Sequence, residues 1–225
     1  MNKGWLYDAS LWPLEVALLR RWRSWLWSGV VGPRVLELGS GTGLNFPYHP
    51  EDIAVTALER DRGYLERSRE RRARDGSDVT LVLGSVEDLP FPDAVFDEVV
   101  ASFILCSVRS PGEALREVNR VLKPGGRLHL LEHCRPAGLL GKLFDRVAPW
   151  IHETFGDRID GEPIPLLERE GFRVLSVTQS LRWTLRLLIA RKRERSPTKD
   201  MDTSPAKAIA TGEDRPCEGW RCLEK

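Results

Sequence analysis

Between residues 34 and 190, short apolar runs alternate with longer amphipathic stretches. Arg34–Leu38, Ile53–Glu59, Val79–Gly84, Phe96–Ser102 and Gly126–His133 are rich in aliphatic and β-branched side chains. Runs of that length suit strands buried on both faces of a parallel sheet. Helical stretches separate them. Asp61–Arg74 is one, with most of its arginines on a solvated face. Another begins at Ser110-Pro111-Gly112-Glu113, with Ser110 as N-cap, Pro111 at the first helical position and Glu113 closing a capping box. Leu115, Val118, Val121 and Leu122 form its apolar face, and Lys123-Pro124-Gly125-Gly126 stops it. After a third helical region, Phe172–Thr178 and Trp183–Ala190 read as strands. The link between them is too short for a crossover helix, so they pair as an antiparallel hairpin. The pattern predicts an α/β fold, a seven-stranded, mostly parallel sheet ending in an antiparallel hairpin.

The pattern fades at both ends. Residues 1–30 hold Trp5, Trp12, Trp22, Trp25 and Trp27 among leucines and Arg20, Arg21 and Arg23. This helical segment is expected either to lie in a membrane interface or to pack on the sheet as a lid. The domain is expected over 31–190. From residue 191 to 225 only Ile209 and Leu223 are large aliphatics, too few to offset ordering entropy, so a disordered polar tail is predicted. No run is long and apolar enough to span a bilayer, and no signal peptide stands out, so the protein is expected in the cytoplasm, with peripheral membrane contact through residues 1–27 as the extension.

Charge and cysteine content narrow the classes. The 225 residues carry 34 basic and 33 acidic side chains, a balance that argues against a nucleic-acid binder. Four cysteines are too few and scattered for a disulfide scaffold. Cys106 and Cys134 read as small buried residues, Cys217 and Cys222 lack a zinc-like spacing, and no metal site is expected.

The strongest local signal is Val35-Leu36-Glu37-Leu38-Gly39-Ser40-Gly41-Thr42-Gly43-Leu44-Asn45, a strand running into a glycine-rich turn. Such turns at the carboxyl edge of an α/β sheet bind ligands, and glycine lets the backbone approach closely. Glu59 closes the second strand and is placed to accept hydrogen bonds from a ribose. A dinucleotide fingerprint needs glycine at position 44, which is Leu44. Glu37 would repel a pyrophosphate and suits a cationic ligand, such as a sulfonium bearing an α-amino group. A nicotinamide-dependent oxidoreductase is therefore the weaker alternative.

These motifs resemble those of class I S-adenosylmethionine-dependent methyltransferases over residues 30–190. The resemblance rests on Val35–Asn45, Ala57–Asp61, Glu87-Asp88-Leu89-Pro90-Phe91, Phe96-Asp97 and Val121–Gly126. Gly43-Leu44-Asn45-Phe46-Pro47-Tyr48 and Leu105-Cys106-Ser107-Val108 are similar to a narrower group of thiol, phospholipid N- and quinone-biosynthesis methyltransferases. The resemblance implies a Rossmann-like fold with helices on both faces and S-adenosyl-L-methionine as cofactor, leaving S-adenosyl-L-homocysteine. It implies that Glu37, Gly39, Ser40, Gly41, Gly43 and Asn45 surround the methionyl and ribose part. Glu59 would hold the ribose, with Arg60 also among the cofactor contacts, Ser85, Val86 and Glu87 would frame the adenine, and Ser102 and Phe103 would flank the sulfonium. Ser85 departs from the Asp common in the family, so its bond to the adenine amine would lack charge assistance.

Methyl transfer needs alignment first and a general base only for a protonated acceptor. Glu132, His133 and His152 are the candidate catalytic groups, with Asp157 and Tyr7-Asp8 as further possibilities. The alternatives are a strand-capping His133 and a packing His152. After the fourth strand there is no Asp/Asn-Pro-Pro-aromatic motif and no Pro-Cys pair, as the chain reads Ser102-Phe103-Ile104-Leu105-Cys106. A small or lipid-like acceptor, methylated at N, S or O, is expected rather than nucleic acid or protein. The rival outside enzymes is a cofactor-binding, membrane-associated scaffold. Oligomeric state has no signature.

Overall fold

In a computed structural model of the protein, the residues described are 19–133, 163–179 and 185–194. They belong to one compact unit, Met1–Glu194, while a second unit, Arg195–Lys225, lies outside the described residues. Trp5, Trp12, Cys134, His152, Asp157, Tyr7 and Asp8 lie outside them as well.

The elements run α1 (Arg20–Ser28), β1 (Arg34–Leu38), β2 (Ala54–Glu59), α2 (Arg62–Asp75), β3 (Val79–Leu83), β4 (Phe96–Ser102), α3 (Pro111–Val121), β5 (Leu122–His133), α4 (Pro163–Arg169), β6 (Phe172–Gln179) and β7 (Leu185–Lys192). They form one seven-stranded sheet in the order β3-β2-β1-β4-β5-β7-β6. The first five strands are parallel, and β7 runs antiparallel to both β5 and β6. The order reverses between β1 and β4, the kind of switch point where α/β sheets open a crevice.

Alternation along the strands supplies two cores. Val35, Val55, Ala57, Val100, Leu131, Leu185 and Leu187 join one buried cluster, which α1 completes with Trp22, Leu26 and Trp27. Leu36, Leu38, Leu58, Val99, Ala101, Leu128, Leu130, Leu188 and Ala190 join the other, with Leu115, Val118 and Val121 of α3 and Leu167 of α4. Adjacent strand residues thus serve opposite faces, as the pleat requires, and both faces are apolar. That is why the runs look continuous in the sequence.

α1 repeats its buried positions at helical spacing: Leu19, Trp22, Arg23, Leu26, Trp27 and Val30. Among the described tryptophans, Trp22 and Trp27 pack on the sheet, which favours the packing alternative for them. Trp25 points outward, 39% exposed, with the Arg21 guanidinium 4.4 Å from its ring.

Three local expectations need correction. Ser110 makes no side-chain cap to α3; the Glu87 carboxylate instead accepts from the Ser110 and Arg109 N–H groups at 3.1 and 2.7 Å. Glu87 thus takes the N-cap amide that a capping box would give to Glu113. β5 begins at Leu122, because Phe96 already pairs with Leu122 before the register shifts at Glu98. Lys123-Pro124-Gly125-Gly126 ends the helix but continues as strand, with Gly125 at φ +73°. β7 runs past residue 190 to Lys192, whose Nζ donates to the Asn119 and Leu122 carbonyls at the end of α3 (2.5 and 2.7 Å).

Elsewhere the pattern holds. Asp61 caps α2 by accepting from the Gly63 and Tyr64 N–H groups, and Gly76 ends it in the left-handed conformation. Leu115 is 1% exposed. Leu115→Ala is expected to lower the free energy of urea unfolding by about 2–5 kcal/mol, through lost transfer energy and the cavity left behind.

Candidate active site

The carboxyl ends of all five parallel strands converge on one edge, bringing together Gly39–Asn45, Glu59–Asp61, Ser85–Glu87, Ser102–Leu105 and Glu132–His133. Short-range hydrogen bonds stitch these loops to one another.

In the glycine loop the three glycines do different work. Gly39, Gly41 and Gly43 all have positive φ (62°, 56° and 82°), a region costly for residues with a Cβ. A Cβ on Gly39 would stand 2.5 Å from Ile104 Cδ1, and one on Gly43 would stand 2.5 Å from Phe46. These two permit packing. A Cβ on Gly41 would meet nothing closer than the Gly39 carbonyl at 4.0 Å, so Gly41 borders open space. The Ser40 hydroxyl beside it is buried with no hydrogen-bond partner.

Glu59, 6% exposed, accepts from Gly41 N–H at 2.9 Å and Asp61 N–H at 2.8 Å, one bond on each oxygen. A carboxylate offers about four acceptor sites, so capacity remains for two hydroxyl donors. Glu37 is fully buried. Its Oε1 accepts from Asn45 Nδ2 at 2.7 Å, and its Oε2 lies 3.0 Å from His49 Nε2. Asn45 Nδ2 also reaches the Ser102 hydroxyl at 3.2 Å, and Asn45 Oδ1 accepts from Arg23 Nη1 at 2.7 Å. Glu37 therefore underpins the loop through Asn45 and His49.

The third-strand loop is tied to α3. The Ser85 hydroxyl donates to Glu87 Oε2 at 2.9 Å, and Val86 is buried in the core beside α3. Burial pushes the Glu87 carboxyl up, but the bonds from Ser110 N–H, the Ser85 hydroxyl and Arg109 N–H, with the charge of Arg60, outweigh it. The net result is a pKa below the ordinary value of 4.5. Ser85 and Glu87 thus satisfy each other, and Arg60 lies close enough to act on the same carboxylate.

After β4 the chain turns sharply. Phe103 has φ +57°, costing of order 1–3 kcal/mol for a residue with a large side chain. Glu132, 3% exposed, holds the turn: its Oε1 accepts from Ile104 and Leu105 N–H at 2.9 and 2.8 Å. The His133 ring stacks on Phe103 with centroids 4.4 Å apart and planes at 23°. Burial lowers the His133 pKa to about 4, so the ring is neutral at pH 7. Cys106 is buried, with its thiol 3.3 Å from the Phe103 carbonyl. The described residues contain no His, Cys, Asp or Glu group suited to a metal ion.

Sequence reasoning overlooked Arg23 and His49. Arg23 carried a signal, since it falls on the apolar stripe of α1; His49 carried none.

The fold and this edge define a Rossmann-like α/β domain with a glycine turn at the switch point of its sheet. Residues 36–130 match the methyltransferase domain family. The chain is 30% identical over 171 residues to a phosphatidylethanolamine N-methyltransferase of Cereibacter sphaeroides, covering 72% of this chain and 83% of that protein. It is 37% identical over 134 residues to a demethylmenaquinone methyltransferase of Renibacterium salmoninarum, covering 58% of this chain and 55% of that one. Among solved structures, the [4+2]-cyclase SpnF superposes with a TM-score of 0.66 at 21% identity, over 78% of this chain and 81% of its own. The chain belongs to the class I S-adenosylmethionine-dependent methyltransferase family.

The residues present fit that family's cofactor. Gly41 borders space that a side chain would fill, Ser40 has an unused hydroxyl, and Glu59 has spare acceptor capacity.

His133 yields a test independent of any ligand. Its folded pKa lies below the ordinary 6.5, so its contribution to stability is present above pH 6.5 and is lost as the pH falls through about 4. NMR titration of the ring is expected to show a midpoint near 4 and no change between pH 6 and 8.

Proposed function

We propose that this protein transfers a methyl group from S-adenosylmethionine to a small or lipid-like acceptor, and that the catalytic domain expected over 31–190 extends to the end of β7 at Lys192. The observation that carries the reading is the pairing of Gly41, bordering open space, with the Glu59 carboxylate 2.9 Å from its N–H. When bound, the cofactor supplies a methyl carbon activated by a cationic sulfur. Glu59 would accept the ribose hydroxyls, with Arg60 beside it. Gly39, Ser40, Gly41 and Gly43 would bring backbone close to the methionyl part. Glu37, held by Asn45 and His49, places a negative charge under the loop, which favours a cationic ligand over a pyrophosphate. Ser85, Val86 and Glu87 would frame the adenine, and Ser102 and Phe103 would line the reacting end.

The protein's own contribution is positioning. Alignment of nucleophile and methyl is worth about 7–11 kcal/mol in favourable cases. The Phe103 turn is fixed by Glu132, and that turn sets one wall of the site. Glu132 spends acceptor capacity on backbone, which suits an anchor better than a base. Neutral His133 can accept a proton from an acceptor group. Its low pKa makes it a weak base, matched to acceptors that need little proton removal.

Two relatives carry lipid acceptors in their names, phosphatidylethanolamine and demethylmenaquinone. That supports a lipid-like acceptor here. The outward Trp25 with Arg21 over its ring supports contact with an anionic bilayer surface. None of the described helices is long and apolar enough to cross a membrane.

Calorimetry is expected to detect binding of S-adenosylmethionine and S-adenosylhomocysteine but not NADH. Glu59→Ala is expected to weaken both sulfur ligands by about 1–3 kcal/mol, the range for bonds to a charged group. Labelled methyl transfer to phosphatidylethanolamine vesicles, quinol precursors and small thiols identifies the acceptor. Binding without transfer to any of them would favour the scaffold reading.

A further inference from the structure

Arg23 is the one Lys or Arg side chain buried among the described residues, at 5% exposure. Burying a cation is costly unless it is bonded, and Arg23 Nη1 donates to Asn45 Oδ1 at 2.7 Å. That bond orients the amide. With Oδ1 turned to Arg23, Nδ2 faces Glu37 Oε1 and the Ser102 hydroxyl. Turned the other way, the amide oxygen would oppose the Glu37 carboxylate, acceptor against acceptor, and its NH2 would oppose the guanidinium. The same helix makes a second contact with the segment after the loop, where the Trp27 ring lies tilted at 46° against His49, centroids 4.2 Å apart. His49 is the other partner of Glu37. Two side chains of α1 thus reach both groups that hold the carboxylate beneath the glycine loop.

We propose that Arg23 is a positioning residue of the cofactor loop, through which the docking of α1 and the binding of S-adenosylmethionine reinforce each other. The proposal rests on the methyltransferase reading above. Such coupling is reciprocal: if a docked α1 favours the bound cofactor, the cofactor must favour a docked α1 by the same factor. The segment ahead of β1 is then part of the cofactor site, although none of its residues belongs to the glycine motif.

The test uses the full chain and S-adenosylhomocysteine. Arg23→Met is expected to weaken its binding by about tenfold or more, within the usual range for coupled sites. Arg23→Lys, which keeps the charge but not the planar fork, is expected to recover part of that loss. Arg23→Met and Asn45→Ala are expected to be strongly non-additive, because they break one bond from its two ends. Hydrogen exchange supplies a readout that a merely structural arginine would not move. Saturating S-adenosylhomocysteine is expected to slow exchange across residues 20–28 in the wild type, and to do so less in Arg23→Met. Should Arg23→Met fail to fold, wild-type exchange and Arg23→Lys decide. Binding unchanged in a folded Arg23→Met, or wild-type exchange at 20–28 indifferent to a bound ligand, overturns the proposal and leaves the methyltransferase reading intact. Failure of the wild type to bind either sulfur ligand overturns that reading itself.

Discussion

A carboxylate removed from water must be given donors, and the arrangement of this protein's site follows from that constraint. Glu37, Glu59 and Glu132 sit at the ends of β1, β2 and β5, each less than a tenth exposed. None is satisfied by its own strand, because strand amides are already committed to the sheet. Each recruits a loop instead: Asn45 and His49 for Glu37, Gly41 and Asp61 for Glu59, Ile104 and Leu105 for Glu132. The loops at this edge are thus held by the donors these three carboxylates require. A fourth buried carboxylate, Glu98, lies 2.7 Å from His129 Nε2 within the sheet and accepts more weakly from Val31 N–H at 3.4 Å. It bonds mainly to another strand, so it stiffens the sheet.

Local conformational cost appears at the same edge, while Ala94, ahead of β4, carries the other left-handed non-glycine φ. Phe103 is held in the left-handed region next to the strand end, in a turn that Glu132 anchors. The compensating bonds come from β5 and the strain from β4, so neither strand alone determines the turn. SpnF, a cyclase by name, has the same overall fold, and a shared fold does not fix the chemistry carried on it.

Most of the sheet was legible because its strands are buried on two sides and read as unbroken apolar runs. The antiparallel hairpin followed from chain length alone. The errors have a common origin: they occur where a distant group supplies what local sequence was expected to supply. Glu113 was expected to accept the Ser110 N–H in a capping box, but Glu87 from another loop accepts it instead. Arg191 and Lys192 looked like the start of a polar tail, yet they pair with Arg173 and Phe172, and the Lys192 ammonium caps α3. The glycine loop and Glu59 could be found by motif, since their neighbours in sequence are their neighbours in space. Arg23, buried through Asn45, and His49, buried through Glu37, depend on residues 22 and 12 positions away, and no local rule joins them.

The position of β7 has a consequence for how the chain is made. Last of the seven strands to emerge during synthesis, it does not add to the rim but inserts between β5 and β6. It contributes Leu185 and Leu187 to one core and Leu188 and Ala190 to the other. A nascent chain that has completed β5 therefore displays an unsatisfied strand edge and two unfinished apolar faces until Lys192 has left the ribosome. Such an edge invites pairing with other chains. Ribosomes paused over the last strand would accumulate aggregation-prone intermediates.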